Sequence, residues 1–130
     1  MGGILSAVLG GNEVLSSPAS SESWRIKTFN SAVEWKSFFD TFEANKLMVI
    51  DFSAKWCGPC RMMEPIFGRL TMDYPEVEFV KIDVDELPSV AQEYGIQGMP
   101  TFVLVKDRTV KHTVTGAKEK ELKEKIKSFR

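Results

Sequence analysis

The run Leu47-Met48-Val49-Ile50-Asp51-Phe52 is apolar at odd and even positions alike, with one acid as the exception. A strand with one wet face alternates apolar and polar residues. A strand apolar on both faces needs helices above and below it, which is the position of a central parallel strand in an α/β layer structure. The flanking sequence fits that setting. Trp24 to Phe29 reads as a modest strand, and Ser31-Ala32-Val33-Glu34 is a capping box, in which each side chain satisfies an orphan amide at a helix start. Trp35, Phe38, Phe39 and Phe42 then recur at the spacing of one buried helix face. A second helix is expected to start near Cys57 and Cys60, burying Met63, Ile66, Phe67 and Leu70 and bending at Pro65, where a backbone hydrogen bond is lost.

Val77 to Ile82 is a third strand. Asp85 is placed to cap a short helix with Pro88 in its first turn and an end at Tyr94-Gly95. Thr101 to Val105 and Thr109 to Thr115 form a hairpin about Lys106-Asp107-Arg108, a turn without the usual glycine. A last helix buries Leu122, Ile126 and Phe129, with Glu119 to Lys123 and Glu121 to Lys125 pairing on its wet face. With right-handed crossovers joining the parallel portion, the expectation is an α/β fold: a central mixed five-stranded sheet flanked by four helices.

A chain of 130 residues suits one domain that needs no disulfide or metal staple. Residues 1 to 23 differ in composition from the rest: they are rich in Gly, Ser and small apolar residues, and no Lys or Arg precedes Arg25. They read as a flexible extension to a domain over residues 24 to 130. The run Ile4 to Leu9 is short and lacks a basic flank, which disfavours a secretory signal, and the missing Arg disfavours a transit peptide. No run is long enough to cross a bilayer. A formal net charge of −1 supplies no basic field for nucleic acid. Two cysteines at close spacing suit a cytosolic chain better than a disulfide-dependent secreted one.

Both cysteines lie in Trp56-Cys57-Gly58-Pro59-Cys60. Cys-x-x-Cys serves half of a zinc site, a structural staple or a cycling dithiol. A structural zinc needs four ligands, and beyond the two thiols the chain has a single histidine, His112, which reads as an exposed strand residue. The dithiol explains more. Cys57, at the turn into the second helix, has its thiolate favoured by the helix amides and dipole, and Lys55 and Arg61 push weakly in the same direction. Cys60, one turn inward, is expected to be more buried and to stay a thiol until needed. Gly58 lets a substrate backbone approach, and Pro59 is tolerated in the first turn. Asp51 then gains a role, because a carboxylate in an apolar strand has its pKa raised by desolvation and can accept the Cys60 proton near pH 7. The alternative is a buried carboxylate satisfied by Lys81 on the neighbouring strand.

Val49-Ile50-Asp51-Phe52, Trp56-Cys57-Gly58-Pro59-Cys60, Pro65, Lys81, Gly98-Met99-Pro100-Thr101 and Gly116 together resemble a thioredoxin over residues 24 to 130. Ser53 and Asp83-Val84-Asp85-Glu86-Leu87 resemble the plant cytosolic h-type branch, and Met1-Gly2-Gly3 its subgroup with a lengthened N-terminus. The resemblance implies the thioredoxin fold, a cis bond before Pro100, and a docking surface of Trp56, Gly58, Pro59, Met99, Pro100 and Gly116, with Lys81 and Pro65 in support. It implies a protein disulfide reductase working through Cys57 and Cys60 without a cofactor of its own. Its partners are then disulfide-containing targets and an NADPH-dependent flavin reductase or another dithiol reductant. Lys55 and Arg108 depart from commoner residues at their positions, which bears on partner choice. An oxidase or isomerase, and a redox-gated binding module, remain as rival readings.

Met-Gly-Gly-Ile-Leu-Ser at the N-terminus fits the myristoylation pattern, with Gly2 exposed after Met removal and Ser at position 6. One acyl chain, with no cysteine or base in the extension to reinforce it, implies a cytoplasmic protein with partial, reversible membrane association.

Overall fold

The computed structural model describes residues 25–130. The expectations for Trp24 and the extension lie outside them. In chain order the elements are β1 (Ile26–Thr28), α1 (Ala32–Thr41), β2 (Met48–Ser53), α2 (Gly58–Asp73), β3 (Glu78–Asp83), α3 (Pro88–Glu93), β4 (Thr101–Lys106), β5 (Thr109–Thr115) and α4 (Glu119–Phe129). The sheet order is β1-β3-β2-β4-β5. β3 lies parallel to both β1 and β2, whereas β4 runs antiparallel to β2 and β5 antiparallel to β4.

The doubly apolar strand occupies the centre, and all six residues of β2 are buried. Strand alternation sends its side chains to two cores. Met48, Ile50 and Phe52 meet Trp35 of α1 and Val90 of α3. Val49 meets Met63, Phe67 and Leu70 of α2 and Leu122 and Ile126 of α4. Asp51, two residues beyond Val49, therefore points to the α2 and α4 side. Each fully buried Leu, Ile or Phe contributes about 1.5 to 3 kcal/mol, so both layers are needed to hold this strand.

Local signals set the helix starts. The Ser31 side chain accepts the Glu34 amide at 3.1 Å, and Glu34 reaches back to the Asn30 amide at 3.2 Å, one residue earlier than a standard box. α2 begins directly after Cys57, with Pro59 in its first turn, and runs on through Pro65, which leaves the Arg61 carbonyl without its helical N–H partner.

The structure departs from expectation at β1, at the start of α3 and at Glu121 with His112, while the hairpin forms as expected. β1 is only three residues long. α3 is preceded by Leu87 and not capped by Asp85; Asp83 Oδ1 accepts the Asp85 and Glu86 amides at 2.8 and 3.3 Å, and this turn leads the chain to Pro88. Glu121 meets His112 Nε2 at 2.9 Å, so His112 is half-buried against α4 and not exposed, while Glu119 and Lys123 pair as anticipated. The hairpin turn has φ of 56° at Asp107 and 59° at Arg108, a left-handed pair normally given to Asn and Gly. Tertiary bonds offset that strain: the Asp107 amide donates to the Ala44 carbonyl at 2.7 Å, and the Arg108 guanidinium donates to the carbonyls of Phe39 and Phe42 at the end of α1. Arg108 thus caps a helix, which accounts for its presence without reference to a partner.

Candidate active site at the Cys57–Cys60 pair

The chain leaves β2 at Ser53 and turns tightly, with the Cys57 amide donating to the Ala54 carbonyl at 3.2 Å. Cys57 is the N-cap of α2, and its Sγ accepts the Cys60 amide at 3.2 Å. One turn of helix brings the two Cα atoms to 5.2 Å, and the sulfurs are joined as a disulfide. Both residues are buried, Cys57 6 % and Cys60 3 % exposed, so the expected order holds by a small margin.

The two flanking cations act elsewhere. The Arg61 guanidinium donates to the Lys55 carbonyl at 2.8 Å, fastening the turn, and Lys55 Nζ pairs with Glu86 at 3.3 Å. Support for a Cys57 thiolate therefore falls to the helix amides, of which the Cys60 N–H already touches the sulfur.

Around the sulfurs lies an apolar surface. Ala54, Val84 and Met99 pack against the pair. The Met99–Pro100 bond is cis, and the Met99 carbonyl oxygen stands 3.7 Å from Cys57 Sγ. That loop is held at both ends: Thr101 Oγ1 donates to the Gly98 carbonyl at 2.6 Å, and the Gly116 amide donates to the Pro100 carbonyl at 2.7 Å. Gly116 has φ of 97°, a conformation that a side chain would strain. Trp56 is 66 % exposed, and its indole N–H donates to Asp85 at 2.9 Å. Asp85, assigned from sequence to a helix cap, thus fixes the largest aromatic beside the dithiol. Gly58 and Pro59 are exposed, and nothing stands within 4 Å of where a Gly58 side chain would project. Pro65 is exposed further along α2, and Gly2 lies outside the described residues.

Asp51 is 2 % exposed, and its Oδ1 has no hydrogen-bond partner among the described residues. Burial raises its pKa from 3.8 to about 7; Lys81 opposes the rise and Glu64 adds to it. Lys81 is its register neighbour on β3, as the alternative reading required, but Lys81 Nζ bonds Glu64 Oε2 at 3.0 Å. Sequence reasoning missed Glu64. Its only local signal is its place four residues after Cys60, on the same helix face. Glu64, Lys81, Ser53, Ala54, Asp83 and Glu86 help line an open cleft of about 270 Å³.

Among the described residues, no group of three or more His, Cys, Asp or Glu could hold a metal ion, and no helix is long and apolar enough to cross a membrane.

The thioredoxin family model matches residues 28–128. Thioredoxin H2 of Arabidopsis thaliana is 46 % identical over 132 residues, covering 100 % of this chain and 99 % of that protein. Thioredoxin H-type 1 of Nicotiana tabacum is 43 % identical over 82 % of this chain and 86 % of its own length. The crystal structure of thioredoxin NaTrxh from Nicotiana alata superposes with a TM-score of 0.80 at 50 % identity, covering 82 % of this chain and 93 % of that one. With likeness of this extent carried by sequence and backbone alike, and with a Cys-x-x-Cys disulfide at the head of α2, the chain belongs to the thioredoxin family and is a thiol–disulfide oxidoreductase that reduces protein disulfides.

Proposed function

We propose that Cys57, Cys60 and Asp51 divide the exchange between them. The Cys57 thiolate attacks one sulfur of a target disulfide, forming a mixed disulfide and releasing the other target sulfur as a thiolate. Cys60 then passes its proton to the Asp51 carboxylate and attacks Cys57 Sγ, which breaks the mixed disulfide. Two electrons have moved to the target, whose two thiolates take up the proton held by Asp51 and one from water, and Cys57–Cys60 is left oxidised. The asymmetry of the pair carries this reading: Cys57 caps the helix with an amide on its sulfur, while Cys60 lies within the first turn on the helix packed over the Asp51 face.

In this reading Trp56, Gly58, Pro59, Met99, Pro100 and Gly116 receive an extended, apolar target segment, Lys81 bears on Asp51, and Pro65 shapes the helix behind the dithiol. Alkylation tests the division of labour. Limiting iodoacetamide at pH 7 will label Cys57 of the reduced protein at least about tenfold faster than Cys60, because the thiolate is the reacting form. Equal labelling, or faster labelling of Cys60, would reverse the roles.

The reductant is an NADPH-dependent flavin enzyme or another dithiol system, and the chain works in the cytoplasm as a domain over residues 24 to 130 carried on an extension of residues 1 to 23. The extension offers Gly2 for myristoylation; a relative that matches the whole chain, residues 1 to 23 included, lends support to a function for it. A single acyl chain binds bilayers with a constant on the order of 10⁴ M⁻¹, so about 0.1 to 1 mM accessible lipid holds roughly half to nine-tenths of the protein. Fractionation of cells containing the acyltransferase should find that share of wild type on membranes and Gly2→Ala in the soluble fraction. A free Gly2 by mass spectrometry, or identical distributions, would leave the extension as a plain tail.

A further inference from the structure

The Lys81 ammonium has two carboxylates to choose from, and it is bonded to the one further from the sheet interior. Asp51 is its register partner across β2 and β3, so both side chains leave the same face of the sheet. An ammonium held on a buried carboxylate would keep that carboxylate ionised and make it a poor base. Lys81 Nζ instead bonds Glu64 Oε2 at 3.0 Å, with side chains 32 % and 48 % exposed, at the wall of the cleft. Asp51 Oδ1 is left buried without a partner among the described residues.

Among the described residues, the remaining neighbours offer Asp51 no substitute cation. Its register partner on β4 is Phe102, and α4 turns Leu122 and Ile126 to this face. Around the cleft, Lys55 is paired with Glu86, and Asp83 Oδ1 accepts two backbone amides. On α2 the groups that concern Asp51 are Cys60 and, one turn on, Glu64. The spacing of four places Glu64 on the same side of the helix as the sulfur whose proton Asp51 receives.

We propose that Glu64 is a positioning residue for disulfide exchange: it holds Lys81 at the cleft wall, denies Asp51 a fixed ammonium partner, and so keeps the Asp51 carboxylate fit to take the Cys60 proton. The inference rests on the reading of Asp51 as proton acceptor. It concerns one proton transfer, from Cys60 Sγ–H to an Asp51 oxygen, giving a Cys60 thiolate and a neutral Asp51; Glu64 and Lys81 neither gain nor lose a proton.

The test compares full-length wild type, Glu64→Gln, Glu64→Asp and the double variant Glu64→Gln/Lys81→Met in two measurements. The first is the titration of the Asp51 carboxyl by carbon NMR in the reduced protein. The second is the single-turnover rate of mixed-disulfide resolution across pH. In Glu64→Gln, Lys81 is free to swing to Asp51, so the Asp51 midpoint should fall by about one pH unit, a tenfold loss of proton affinity. The acidic limb of the rate profile should move with it, and the plateau should drop as the base weakens. Glu64→Asp should stay within about 0.3 pH unit of wild type, and the double variant should lose the downward shift. A Glu64→Gln midpoint that is unchanged or raised, or a fall that persists in the double variant, overturns the role of Glu64 and leaves Asp51 as acceptor. A midpoint that falls while the rate profile stays fixed removes Asp51 from the reaction, and the proposal falls with it.

Discussion

Cys57→Ser will abolish dithiothreitol-driven reduction of a model disulfide protein, by at least about 10³-fold as for loss of other catalytic nucleophiles, and Cys60→Ser will stop after one event with target bound to Cys57. The first result follows because a serine hydroxyl stays protonated at neutral pH and does not attack sulfur. Cys60 cannot take over, since it sits within the first turn of α2, behind the cap. In Cys60→Ser the Cys57 amide contacts and the Met99–Pro100 loop are untouched, so the mixed disulfide still forms. It then persists for want of an internal thiol. A non-reducing gel should show the adduct accumulating in step with the enzyme and vanishing with excess dithiothreitol. Turnover of Cys60→Ser at the wild-type rate would disprove the resolving role. A redox-gated binding module, by contrast, would keep its partner in Cys57→Ser and would show no reduction in the wild type either.

What could be read from the sequence was what repeats over short distances. β2 was legible because both its faces are apolar; α1, because Ser31 and Glu34 lie three apart and the four aromatics follow one stripe. The dithiol was legible because its spacing is one helical turn. The contacts that finish the site join residues far apart in the chain: Trp56 to Asp85 across 29 positions, Lys81 to Glu64 across 17, and Arg108 to Phe42 across 66. No periodicity records such pairs. Asp85 was assigned to a cap because a cap is the nearest local use of an aspartate before a helix. Glu64 carries no local signal of its role beyond its place four residues after Cys60; β3 alone brings Lys81 to it. Asp51 stood out for the opposite reason, as a charge in a place where the local pattern permits none.

That misfit sets the second large effect: Asp51→Asn will stabilise the fold at pH 8 by up to about 4 kcal/mol, and will leave it nearly unchanged near pH 3. Burial raises the Asp51 pKa from 3.8 to about 7. Between those values the unfolded chain has lost the proton and the folded chain keeps it, so wild-type stability falls as pH rises through this window. It is flat below the unfolded pKa, where both states are protonated, and flat again above the folded one, where a buried charge stands without a hydrogen-bond partner on Oδ1. About three pH units at about 1.36 kcal/mol each give the upper limit of about 4 kcal/mol; water entry or local relaxation around the carboxylate lowers it. Asparagine does not titrate and is nearly the size of the neutral acid, so at low pH the exchange replaces one buried polar group with another. Urea unfolding of the oxidised protein at both pH values measures the difference directly. Equal effects of the substitution at pH 3 and pH 8 would mean that Asp51 is not held protonated by the fold. The same variant should slow mixed-disulfide resolution by about 10²-fold at pH 7, the lower end of what a positioned base supplies. A gain in stability without a slower resolution across pH 6 to 8 would make Asp51 a structural burden with no part in the chemistry; a slower resolution together with the gain means that the protein retains an unstable carboxylate because the Cys60 proton has to go there.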